Sequence, residues 1–171
     1  MCYAAILIGR YGMTTRILGW IVNVVTLLLF ITSLVNLVFI FIQAKFVDLT
    51  LIDYFAHTNW TFTYMLGTLC IPVSAILMQV KWRKARLFKR HAKEYFYLSL
   101  MMTTVALILM GEYSMAIFMI FLFIAASYPL GIKYNEAIAM LREPSSYRKL
   151  AGEWFILFIA IIVRIYMYID L

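Results

Sequence analysis

Ile17 to Gln43 reads ILGWIVNVVTLLLFITSLVNLVFIFIQ, 27 residues without a single charge. At about 1.5 Å per residue a helix of that length exceeds a hydrocarbon core of about 30 Å. Such a run spans a bilayer with some tilt. A signal peptide has a shorter apolar core and a small-residue cleavage site, so the stretch reads as a retained anchor.

The rest of the chain repeats the pattern. Apolar runs follow at Trp60–Val80, Tyr95–Met110, Tyr113–Leu130 and Glu153–Ile169. Together they predict an all-α transmembrane bundle of about five spans, occupying residues 1–171 as one integral membrane domain. Composition agrees: 65% of the 171 residues are apolar and 13% charged, with a mean hydropathy of +0.93. Soluble domains are roughly half apolar and about a quarter charged. Too little polar surface remains here to coat a water-soluble globule.

The connections carry the punctuation. Lys45 to Asn59, with Asp48, Asp53 and His57, is too short and too charged to span, and reads as an extracytoplasmic loop or interfacial helix. Pro72 lies inside the second run, where the missing amide predicts a kink near Ile71. Gly111-Glu112 reads as a tight turn. Tyr134 to Leu141 reads as a short amphipathic helix ahead of the break at Pro144.

Charge sets the orientation. With the N-terminus inside and the spans alternating, the inner segments hold Arg10, Arg16, Lys133, Arg142, Arg148 and Lys149. They also hold the seven cations of KWRKARLFKRHAK: Lys81, Arg83, Lys84, Arg86, Lys89, Arg90 and Lys93. That places thirteen of fifteen Lys and Arg on the inner side, with Lys45 outside and Arg164 within a span. The bias is a strong positive-inside signal, predicting a cytoplasmic N-terminus in a membrane of the bacterial inner type. The net charge of +7 therefore serves topology, and nucleic acid is not an expected partner. The expected surroundings are the lipid bilayer and another membrane protein, or a second copy of the chain. Trp60, Trp82 and Trp154, with Tyr95, Tyr113, Tyr166 and Tyr168, fall where an aromatic belt is expected.

Three features invite a functional reading. The first span carries Thr26, Ser33, Asn36 and Gln43 among Val22, Leu29 and Ile40 at alternating steps of four and three, which keeps them on one helical face. Asn23 sits beside that stripe. Such a face either bonds to neighbouring helices or lines a polar pathway or docking surface. Arg164 is an intramembrane cation, which is costly to bury. It either snorkels outward, pairs with Glu112 or Asp170, or acts directly. The basic cytoplasmic loop expected over Lys81–Lys93 places Trp82, Ala85, Phe88 and Ala92 near one helical face, a pattern that suits either a topology signal, an anionic membrane surface or a cytoplasmic partner.

Catalytic patterns are absent from the sequence. It contains no H-E-x-x-H, no G-x-S-x-G and no phosphate-cradling glycine loop. Cys2 and Cys70 are unpaired in spacing, and Asp53 with His57 supplies two metal ligands at most, so neither metal nor cofactor is expected. The spans read as free of acidic residues, which argues against a proton relay. The remaining classes are a protein that works by contact, a subunit of a transporter, channel or larger membrane complex, and an intramembrane enzyme.

In size, short polar ends, lack of catalytic motifs and basic inner side, the chain resembles the entry-exclusion (surface-exclusion) inner-membrane proteins of F-type conjugative plasmids. That resemblance implies a recipient-cell protein that stops redundant DNA transfer by recognising part of the donor's mating apparatus. It rests on architecture and carries over no residue role. Immunity proteins against pore-forming toxins share the same logic of recognition without turnover.

Overall fold

The computed structural model describes residues 2–50, 52–54, 59–87, 91–132 and 134–169, with side chains from residue 15 onward apart from those of 59–63, 128, 129 and 134. Among the described residues the helices with full bounds are, in order, α1 (Cys2–Phe46), α2 (Asn59–Arg86), α3 (Ala92–Leu109), α4 (Tyr113–Leu130), α5 (Tyr134–Leu141), α6 (Pro144–Lys149) and α7 (Ala151–Ile169). Four of them are long and apolar enough to cross a membrane, over Thr15–Phe46, Tyr64–Arg86, Ala92–Leu109 and Ala151–Ile169, and a shorter apolar helix covers Tyr113–Ser127. The protein is an α-helical bundle built for a bilayer.

Left-handed backbone positions stop the helices. After α3, Gly111 at φ 82° lets its own amide reach the Ile108 carbonyl and the Glu112 amide reach that of Leu107. This is the paired closure of a Schellman motif, open to glycine because it has no Cβ to clash. Gly131, at φ 61°, occupies the same position after α4, with the Ile132 amide on the Ser127 carbonyl. At the end of α1 the position is filled by Asp48, at φ 52°, and the Asp48 and Leu49 amides close on Lys45 and Ala44. Short polar side chains tolerate this conformation better than most. The expected loop over Lys45–Asn59 thus opens with an ordered helix stop, followed by helical residues 52–54.

α3 is the central element. It packs against α2, α4, α5 and α7, while α1 lies across α2 and α4. Two-thirds of the α3 span is buried (67%), against 28% for α1 and 22% for α7. One core cluster joins α1 to α4 through Leu18, Val22, Leu29, Ile71, Met78, Phe96 and Met119. Another closes α7 on α2 and α3 with small residues, Cys70, Ala106 and Ala160 among them. Small side chains allow close backbone approach where apolar burial gives no preference for protein over lipid. Gly152 shows the limit: a Cβ there would lie 2.8 Å from Leu77 Cδ1.

The expected helix over Tyr134–Leu141 forms over those residues, with Ala137 and Met140 buried. The segment from Lys81 departs from the expected loop. Lys81 to Arg86 is not a loop but the last turns of α2, and Lys93 already belongs to α3. The predicted apolar face of this segment is turned into the bundle. Trp82 is 3% exposed and lies against the Phe96 ring, centroids 5.2 Å apart, with Ala85 and Ala92 also buried. Burying those groups against α1 and α3 extends the helix past the charge boundary. Trp82 and Tyr95 are therefore packed inside the bundle and turned away from lipid. Phe88, Lys89 and Arg90 lie outside the described residues.

Candidate functional site

Every polar residue of the α1 stripe has a partner. Thr26 donates to the Val22 carbonyl at 2.7 Å and accepts from Gln79 Nε2 at 2.9 Å, and Gln79 also donates to Asn23 Oδ1 at 3.0 Å. Ser33 Oγ donates to the Thr68 carbonyl at 2.9 Å. Asn36 Nδ2 donates to Glu112 Oε1 at 3.0 Å, and Tyr54 donates to Gln43 Oε1 at 3.2 Å. The Ser33 bond answers the proline question. Pro72 lacks the amide that would bond Thr68, four residues earlier, and Ser33 supplies the missing donor. α2 stays helical through the site.

A second polar centre joins α2, α3 and α7. Glu153, in the first turn of α7, is 2% exposed. Its Oε1 accepts from Ser99 Oγ at 2.6 Å and from the ammonium of Lys81, itself largely buried. Oε2 is buried with no partner among the described residues. This corrects the expectation of spans without acid: the last helix carries a carboxylate into the interior at its N-terminal end, where the helix dipole favours negative charge. It also removes Lys81 from the free basic surface. Beside it, Tyr95 Oη and Ser146 Oγ lie 3.1 Å apart, and Lys149 Nζ sits 4.8 Å from the Tyr95 ring centroid. Lys93 donates to the Leu130 carbonyl at 3.5 Å.

The remaining cations of the α1–α2 end are organised differently. Arg16, Gly19, Trp20 and Asn23 of α1 face Gln79, Trp82, Arg83 and Arg86 of α2 across an open groove of about 440 Å³. Its three arginines are exposed, and none makes an ion pair with a described residue. Gly19 opens the floor, where a Cβ would touch Trp82 Cζ2 at 3.4 Å. Neither Arg16 nor Trp20 stands out in the sequence beside the dense basic segment, yet the antiparallel packing of α1 and α2 brings them to it.

Arg164 lies over the Tyr168 ring, one turn on, at 5.6 Å from the centroid. Glu112, one of its two expected partners, is bonded to Asn36, and Asp170 lies outside the described residues. His57 is outside them too, which leaves Asp53 in its local contacts with Thr50. Thr104, in α3, donates to the Leu100 carbonyl within its own helix. Among the described residues no three His, Cys, Asp or Glu side chains are grouped to hold a metal ion. Cys70 is packed in the apolar cluster between α2, α3 and α7.

Comparison with protein-family models, curated proteins and solved structures finds no match for this chain.

Proposed function

We propose that this chain is a non-enzymatic protein of the bacterial inner membrane that acts by contact with another membrane protein. In this reading it crosses the bilayer five times with its N-terminus in the cytoplasm. The fifth crossing is α4, whose 18 residues reach about 27 Å, close to the hydrocarbon thickness. The most specific form of the proposal is exclusion of redundant conjugative transfer, with toxin immunity as its nearest relative, on the architectural resemblance drawn from the sequence.

The contrast between the two faces of α1 is the observation that carries this reading. The polar face is engaged inside the bundle by Thr68, Gln79 and Glu112. The outer face presents Leu27, Ile31, Leu34, Val35 and Val38, each roughly half exposed or more. A transport pathway needs polar side chains directed at open space, whereas these are directed at each other. What faces outward is apolar helix surface along the span, which meets lipid or a partner helix through van der Waals packing, and cationic surface at its basic end, which meets acidic groups.

Photoreactive residues at Leu34, Val38 and Arg83 in native membranes test the proposal. Crosslinks to a conjugation, secretion or toxin component support it and identify the partner. Crosslinks confined to a stoichiometric set of transport subunits would replace it with a role in a transporter complex. Thiol labelling of single cysteines introduced at Ser145 and Thr50 tests the topology, which requires Ser145 to be cytoplasmic and Thr50 extracytoplasmic.

A further inference from the structure

The arginine-lined groove between α1 and α2 has a chemistry of its own, independent of any protein partner. Three guanidinium groups, Arg16, Arg83 and Arg86, converge on one open recess with no described carboxylate paired to any of them. Convergent unpaired guanidinium groups repel one another, an arrangement that becomes favourable once an anion sits between them. Guanidinium is the side chain best shaped for phosphate oxygens, which it binds through two parallel N–H donors. Gln79 donates to the Asn23 side-chain oxygen, and both residues line the recess beside the arginines.

Position decides which phosphate. The groove lies where the charge-free run of α1 begins, at Ile17 next to Arg16, and where the apolar run of α2 gives way to cations from Lys81 onward. That is headgroup depth, and Trp20, 68% exposed at the rim, is the residue type enriched there. Deeper along the same ridges the lining turns apolar. On α1, Leu27 follows Arg16, Trp20 and Asn23 at helical spacing, and on α2, Ile76 precedes Gln79, Arg83 and Arg86. Both are more than half exposed. A cationic recess followed along the same helix faces by exposed apolar side chains fits a charged head with acyl chains attached, and a free phosphate uses only the cationic part.

We propose that this groove binds an anionic phospholipid, its phosphodiester held by Arg16, Arg83 and Arg86 and its acyl chains lying along Leu27 and Ile76. The site would hold a lipid at the α1–α2 seam on the basic side of the bundle.

The test uses the full-length protein purified in a neutral detergent, with native mass spectrometry reading the occupancy of phosphatidylglycerol against phosphatidylcholine of the same chains. The expected result is a preference for phosphatidylglycerol that falls about fivefold with each of Arg16→Gln, Arg83→Gln and Arg86→Gln. The triple variant should show none. Arg142→Gln/Arg148→Gln removes two cations from the same end outside the groove and should retain the preference. All three arginines are exposed, so the single variants carry the test even if the triple variant fails to fold. Preference retained in the single variants, or lost equally in the Arg142/Arg148 control, overturns the site. Inorganic phosphate at millimolar concentration should not displace the lipid. Full displacement would overturn the lipid assignment in favour of a free-phosphate site.

Discussion

Ser33 of α1 donates its hydroxyl to the Thr68 carbonyl of α2, 2.9 Å away, at the position that Pro72 leaves without an intrahelical donor. One side chain thereby ties the two helices together and closes a backbone gap that lipid cannot fill. Ser33→Ala should therefore destabilise the fold by about 1 kcal/mol, near the upper part of the range for interhelical bonds in membranes. Pro72→Ala restores the missing amide, so in that background Ser33→Ala should cost much less. A double-mutant cycle in detergent reads the coupling, and strict additivity would refute the link between Ser33 and Pro72.

Glu153 and Lys81 form a buried ion pair braced by Ser99. Removing one partner strands the other charge, at a typical cost of about 3–5 kcal/mol. Glu153→Gln should lower thermal stability severely, and the double change Lys81→Met/Glu153→Leu should be milder than Glu153→Gln alone. Equal loss in both variants would show that packing around α7, and not the stranded ammonium, sets the cost.

Burial at the α3–α4 turn pushes the Glu112 carboxyl above the ordinary glutamate value, an effect the Asn36 hydrogen bond only partly opposes. The folded protein therefore holds this proton more tightly than the unfolded chain. Stability contributed by the group is full below the unfolded value and is lost as pH rises through the folded one. Glu112→Gln keeps an oxygen for Asn36 and removes the titration. Its melting temperature should exceed that of the parent protein at neutral pH, with a flatter dependence as pH rises above the ordinary glutamate value. A parallel pH dependence in the variant would place the titration elsewhere.

Arg164 touches Tyr168 on its own helix, a partly exposed cation–π contact of the kind worth about 0.5–1 kcal/mol. Arg164→Leu should insert normally and change stability by less than about 1 kcal/mol. If the crosslinks from Leu34 and Val38 vanish in that variant while its stability is unchanged, Arg164 belongs to the contact surface. Large destabilisation would instead show a structural role.

The class of fold and most of its helices were legible because each rests on local chemistry. An apolar run such as Ile17–Gln43 has no stable place in water, and Gly111 and Gly131 mark helix ends because the stop needs a left-handed residue. The α1 stripe was legible as well, since periodicity alone assigns Thr26, Ser33 and Asn36 to one face. Glu153 was not. A glutamate at the head of an apolar run reads as an interfacial residue, and the lysine that holds it is 72 residues away in the chain.

The basic segment marks the division most clearly. By itself the sequence determined a membrane-spanning helical protein with one strongly basic side, because hydropathy and charge are properties of the run whatever it packs against. Trp82, Ala85 and Ala92 at helical spacing among cations suit a membrane surface and a bundle interior equally well. Only the tertiary structure decided between them, by placing Phe96 and Gly19 against Trp82. The same packing sorted the cations, with Lys81 drawn inward to Glu153 and Arg83 and Arg86 left facing Arg16 across the groove. Spacing states which residues share a face, and what the face meets depends on helices that arrive from elsewhere in the chain.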